Sequence, residues 1–172
     1  MTATYEPIST QTLSTATADI FFTSIPQTYT DLVLVAFAAT TSGANVLGYR
    51  LNSDNASNYS GLYLTGNGGT AASSRISGAT YASVHTLIAI PNATNTFGTY
   101  IVNFQNYSNA TTFKTALARS NTLGNGLYNG LEASVTLWRK TPEAITSINV
   151  LNGGGLSFSV GSTFTLYGIK AE

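Results

Sequence analysis

The chain has 172 residues, 43% of them apolar, seven basic and seven acidic side chains, and no cysteine. This is one ordinary domain with material for a real core and no disulfides, and its 8% charged fraction lies far below the roughly 25% usual in soluble domains. The charges are scattered singly, with Arg139-Lys140 the one adjacent pair, which argues against nucleic acid, and no apolar run reaches the ~18 residues needed to span a bilayer.

Taken in order, residues Tyr5 to Leu13 form a weak strand. Pro7 lacks the ladder donor, so residues 1–16 read as an edge strand or an N-terminal arm. Ala18 to Ile25 is a short strand ending before Pro26. Thr30 to Phe37 places Leu32 and Leu34 on one face and Val33, Val35 and Phe37 on the other. Such a strand is expected at the centre of a sheet, covered on both sides. Asn45 to Leu51 and Tyr59 to Leu64 flank the turn-forming Asn52-Ser53-Asp54-Asn55, and Gly66-Asn67-Gly68-Gly69 marks a loop. Arg75 to Ser77 reads as a short strand and Tyr81 to Ile90 as a longer one.

Tyr100 to Phe104 alternates Tyr100, Val102 and Phe104 against Asn103 and Gln105, and that second face is expected to be wet. Phe113 to Arg119 alternates Phe113, Thr115 and Leu117 against Lys114, Ala116 and Ala118. Asn121 to Gly130 reads as a long loop, Ala133 to Arg139 and Ile145 to Leu151 as strands. Leu156 to Val160 and Thr163 to Ile169 read as a closing hairpin joined by Gly161-Ser162. No window has helical periodicity. About ten short strands with polar turns predict an all-β, antiparallel β-sandwich, jelly-roll-like, occupying residues 17–172 as a single domain. The N-terminus shows no charged segment followed by an apolar core. The weakly charged Thr, Ser, Asn and Gly surface suits a component of an assembly.

Chemistry has little to build on. His85 is the sole histidine and has no second ligand or nucleophile motif beside it. Glu132 and Glu143 give no sign of a shared site, which a glycosidase would need. Asp54-Asn55-Ala56-Ser57-Asn58 alternates oxygen ligands, but it lacks the Gly and terminal Glu of an EF-hand and reads as an Asx turn. The Gly-rich stretches lack the Lys-Ser/Thr of a phosphate loop and are turns. The sequons at Asn55, Asn58, Asn92, Asn106 and Asn109 follow from composition. The expectation is a protein without catalytic residues, cofactor or metal. Tyr59, Tyr63, Tyr81, Tyr107 and Tyr128 lie in or beside polar loops. They could stack on sugars, anchor a protein interface, or cap the ends of the sandwich. With Tyr5, Pro7 and Ile8 of the arm they form the candidate interface.

The segment Ile25-Pro26-Gln27-Thr28-Tyr29-Thr30-Asp31-Leu32-Val33-Leu34-Val35 resembles one found in small virion proteins of tailed bacteriophages, cyanophages among them. The closing Gly161-Ser162-Thr163-Phe164-Thr165-Leu166-Tyr167-Gly168-Ile169-Lys170-Ala171 is similar to the C-terminus of the same group. Tyr5-Glu6-Pro7-Ile8, Leu51-Asn52-Ser53-Asp54 through Asn58-Tyr59-Ser60, and Leu137-Trp138-Arg139 fit that pattern too. The resemblance implies a β-sandwich virion component, with no catalytic residue to carry over. The first expectation is a capsid cement, or decoration, protein on the capsid exterior. It would bind the major capsid protein and itself, as a homotrimer, with no nucleic acid or membrane partner. A tail-fibre or receptor-binding module reading host glycans is the alternative. For the cement reading, residues 1–16 are expected to pack on a neighbouring subunit and to be dispensable for folding.

Overall fold

Leu32, Leu34, Ala36 and Ala38 share one face of a strand rich in β-branched and aromatic residues, and that alternation sets the centre of the molecule. The computed structural model describes residues 4–42, 45–84, 96–122 and 130–170. The described strands are β1 (Tyr5–Thr12), β2 (Asp19–Phe22), β3 (Asp31–Ala38), β4 (Leu47–Leu51), β5 (Tyr59–Gly66) and β6 (Ala71–Ala79). They continue with β7 (Ala82–Ser83), β8 (Gly98–Phe104), β9 (Lys114–Thr122), β10 (Gly130–Trp138), β11 (Ile148–Asn152) and β12 (Thr163–Ile169). Every pairing is antiparallel. An eight-stranded sheet runs β1-β12-β3-β8-β9-β10-β5-β6, and a four-stranded sheet runs β2-β11-β4-β7. The chain is therefore an all-β sandwich of twelve described strands, divided unequally.

The core lies between the sheets. From the large sheet, Leu32, Leu34, Val102, Phe104, Phe164 and Leu166 point inward; Ile20, Phe22, Tyr49, Ile148 and Val150 meet them from the small one. Tyr49 crosses the gap, edge-on to Phe104 at 5.1 Å and hydrogen-bonded to the Thr136 hydroxyl. Burial pushes the Tyr49 phenol well above its ordinary range.

The central position of β3 follows the expectation, between β12 and β8. Its expected cover does not. The inner face is sealed by the small sheet. On the outer face, Val33 is enclosed by its neighbours, whereas Phe37 stacks on Phe97 at 4.8 Å and stays 48% exposed. The Tyr81 to Ile90 strand is described only in part, as β7, and residues 85–90 lie outside the described residues, His85 among them.

Two sequence expectations are corrected. Of the two readings of the N-terminal segment, edge strand or arm, the edge strand is the one that forms, and the expected packing on a neighbouring subunit is what is corrected: β1 pairs with β12 of its own sheet from Tyr5↔Ile169 to Thr12↔Thr163. Pro7 is tolerated there because an edge strand needs only one ladder. The register slips between Pro7 and Ser9, and the extra residue, Ile8, packs with Leu13 against the core. The second correction concerns Leu156 to Val160, which forms no strand. Its Phe158 makes isolated bridges to Thr17 and Thr40 and is wholly buried, edge-on to Phe164 at 4.9 Å. The segment is a plug at one end of the sandwich, and β12 pairs with β1 and β3 instead.

Two close approaches fix glycine. A side chain at Gly168 would fall inside the Tyr29 ring, and one at Gly61 would collide with the Tyr63 phenol. Tyr29 donates to Glu6 at 3.1 Å, and Lys170 pairs with Glu6 at 2.8 Å while lying over the Tyr29 ring. These contacts tie the two ends of the described chain together.

Candidate docking face

Three of the six tyrosines expected at a contact surface lie in the core instead. Tyr59 is buried, accepts from the Leu51 amide at 3.0 Å and donates to the Asp54 carbonyl at 3.1 Å. Tyr63 is buried and lies back over Gly61. Tyr107 is buried and donates to the Pro26 carbonyl. These three are corrected from interface residues to core residues: each ring gains a hydrogen-bond partner or glycine cover in the interior, Tyr107 from the turn after β8. Tyr81 is half-buried over Gly48 and Gly153. Tyr128 lies outside the described residues. Of the N-terminal candidates, Tyr5 is 58% exposed and edge-on to Tyr167, Pro7 is exposed, and Ile8 is half-buried.

The loop that resembles a calcium site is a structural junction. The Asp54 carboxylate accepts from the Ala56 amide at 3.0 Å, closing the expected Asx turn, from Asn58 Nδ2 at 2.8 Å and from Trp138 Nε1 at 2.6 Å. Two residues earlier, Asn52 sits in the left-handed region at φ 50°. Its side chain donates to the Ala144 carbonyl and accepts from the Thr146 and Ser147 amides. Among the described residues no three His, Asp or Glu side chains group as a metal site would require.

Burial pushes the Asp54 carboxyl up, but the bonds from Trp138, Asn58 and Ala56 outweigh it and leave the carboxyl below its ordinary range. The hydrogen bond from Lys140 lowers Glu143, and that from Lys170 lowers Glu6. A carboxylate lowered in the folded state gives stability above its unfolded pKa and loses it as pH falls through the folded value. Tyr49, Tyr59 and Tyr100 are raised by burial, so their contribution is lost as pH rises past the ordinary tyrosine range. Urea midpoints measured against pH should be flat from about 5 to 9 and fall on both sides, below about 4 and above about 10. A midpoint that rises as pH drops from 5 to 3 would contradict this assignment.

The surface that sequence reasoning missed is the outer face of β9, β10, β5 and β6. Along β9 and most of β10 the usual pattern is inverted, while Trp138 on β10 and Tyr59 and Tyr63 on β5 still point inward. The other inward positions are small or polar: Ala116, Ala118, Ser120 and Thr122 on β9, with Glu132, Ser134 and Thr136 on β10, all buried. They are small because the facing side supplies the bulk and the partners: Tyr49 reaches Thr136, and Ser134 donates to the Val84 carbonyl at 3.0 Å. The large aliphatic residues go outward instead. Leu117, Leu131, Leu62 and Leu64 are 50% to 63% exposed, and Val135 is 39% exposed.

Register makes these side chains one patch. Leu117, Val135, Leu62 and Arg75 lie in a row across four strands, and Arg119, Ala133, Leu64 and Ser73 form the next row. Leu131 follows, opposite Asn121 and Gly66. Two hollows flank the leucine rows. One, of about 470 Å³, is lined by Leu62, Arg75, Ile76, Val135 and Leu137; the other, of about 370 Å³, by Ile101, Arg119, Asn121, Leu131 and Ala133. Covering the five aliphatic side chains would contribute roughly 1 kcal/mol each. An apolar patch of this kind with polar neighbours is a candidate interaction surface. The sequence signal was the alternation itself; which parity faces inward depends on the opposing sheet.

No family model matches the chain, and no curated protein matches it. Among solved structures, a protein of unknown function from Shewanella oneidensis MR-1 (SO2946) is similar over 99% of this chain and 78% of its own. The identity is 15% and the TM-score 0.31, a likeness too loose to support any statement about function.

Proposed function

We propose that the chain is a structural component of a tailed-phage virion, a capsid cement protein. It sits on the capsid exterior, binds the lattice of the major capsid protein, and associates with itself as a homotrimer. The observation that carries the reading is the leucine face: a stiff, many-bonded sandwich turns its large aliphatic side chains outward along three adjacent strands. Such a face adheres by shape and apolar area. Symmetry would repeat the contact over the shell, so a modest contact per copy adds up across joints strained by internal pressure. The weakly charged surface and the resemblance of the strand ends to phage virion proteins support the same reading. The alternative of glycan recognition through tyrosine loops has lost Tyr59, Tyr63 and Tyr107 to the core.

Densitometry of purified particles tests the proposal. A cement protein is expected at hundreds of copies per particle. A count of tens or fewer, or absence from particles, would contradict it.

A further inference from the structure

The leucine face carries charge of one sign. Arg75 stands at the end of the Leu117–Val135–Leu62 row and Arg119 heads the next, both exposed and without an ion pair among the described residues. From strand spacing and rise the two guanidinium groups are anchored roughly 16 Å apart. Among the described residues no carboxylate lies between them. The chain's described acids are committed elsewhere: Glu6 to Lys170, Glu143 to Lys140, Asp54 to Trp138 and Asn58, and Asp19 to Asn149. Glu132 points inward and is 1% exposed. Asp31, at the far end of β3, accepts the Asn106 amide.

A second copy packed face to face would therefore bring arginine against leucine and arginine, with no anion to meet either guanidinium. A polyanion such as nucleic acid would satisfy the arginines and leave the leucines in water. What satisfies both is an apolar protein surface that carries carboxylates, because charge complementarity fixes register while apolar area supplies affinity. We infer that this face docks on a different protein, through an apolar ridge bearing Asp or Glu side chains set to meet Arg75 and Arg119. The inference deepens the virion reading, on which it rests for where the partner is found, and names the chemistry of the partner's surface.

The test places the photocrosslinker p-benzoylphenylalanine at Leu62 or at Leu117 in the full chain, in cells producing it. Phe21, exposed on the small sheet, is the control position. The expected result is a crosslink from Leu62 and Leu117, and not from Phe21, to an Asp- or Glu-bearing segment of another protein. The double substitution Arg75→Glu and Arg119→Glu should cut its yield at least tenfold with the melting temperature unchanged, and Arg→Lys at both positions should restore part of it. If the adduct is also present in purified particles, both readings hold. If the crosslinked acidic partner is absent from particles, the docking inference stands and the virion reading falls. Crosslinks to a second copy or to nucleic acid, no crosslink from either position, or yields indifferent to charge reversal would overturn the inference.

Discussion

Removing residues 1–13 should unfold or aggregate this protein at temperatures where the full chain is stable. The segment carries β1, which pairs with β12 over seven positions and brings Ile8 and Leu13 onto the core. It also supplies Glu6, the anchor for Lys170 and Tyr29. At about 0.5–1.5 kcal/mol net for each hydrogen bond, less the chain entropy returned, the loss amounts to roughly 3–5 kcal/mol. That is a large share of the ~5–15 kcal/mol that stabilises an ordinary domain. The melting temperature should fall by about 10 °C. The strand left at the edge would be Thr-Phe-Thr-Leu-Tyr-Gly-Ile, long, apolar and uncharged, where the present edge is protected by Pro7 and a bulge. Scanning calorimetry and light scattering on the truncated chain check this. A truncated form that melts with the parent and stays monodisperse would show that β1 behaves as a detachable arm.

Trp138→Ala should cost about 3–5 kcal/mol, the range for deleting a buried aromatic side chain. The ring is 3% exposed and stacked on Tyr59 at 6.4 Å, and its Nε1 donates to Asp54. Trp138→Phe separates the two contributions, since it keeps an apolar ring and removes the donor. The expected loss is then roughly 1.5–3 kcal/mol, the range for a bond to a charged group. The Asp54 carboxyl should also move up toward its unfolded value, so the acid-side loss that Asp54 contributes should shrink and the gap between variant and parent should narrow as pH falls from 5 to 3. Urea unfolding followed by circular dichroism from pH 3 to 8 reads both effects. Equal stability of Trp138→Phe and the parent at pH 7 would mean that the Trp138–Asp54 bond does not hold the junction together.

Much of the fold is legible in the residues because period-two alternation and turn chemistry are local. The Thr163 to Ile169 strand has its predicted limits, and the Asx turn at Asp54 forms as its side-chain pattern implies. What failed depended on distant partners. Phe158 sits in a strand-like run, yet it is taken as a plug by Thr17 and Thr40, more than a hundred residues away. Tyr59 and Tyr63 stand among Gly, Asn and Ser and read as surface residues, but their rings turn inward, Tyr63 over the backbone of Gly61. The leucine face was hidden for the opposite reason. The alternation of Leu117 with Ala116 and Ala118 was plain, and a leucine is ordinarily assigned to the core. Tyr49 and the Val84 carbonyl on the other side make Thr136 and Ser134 suitable inward residues.

The proposed docking requires the outer face of β9, β10 and β5 to be covered in the working assembly. A cryo-electron microscopy map of the particle proposed to carry this chain, with the chain fitted, measures that directly. The predicted result is density from another protein within van der Waals reach of Leu62, Leu117 and Val135. Those side chains facing bulk solvent, with the chain attached through the small sheet, would contradict it.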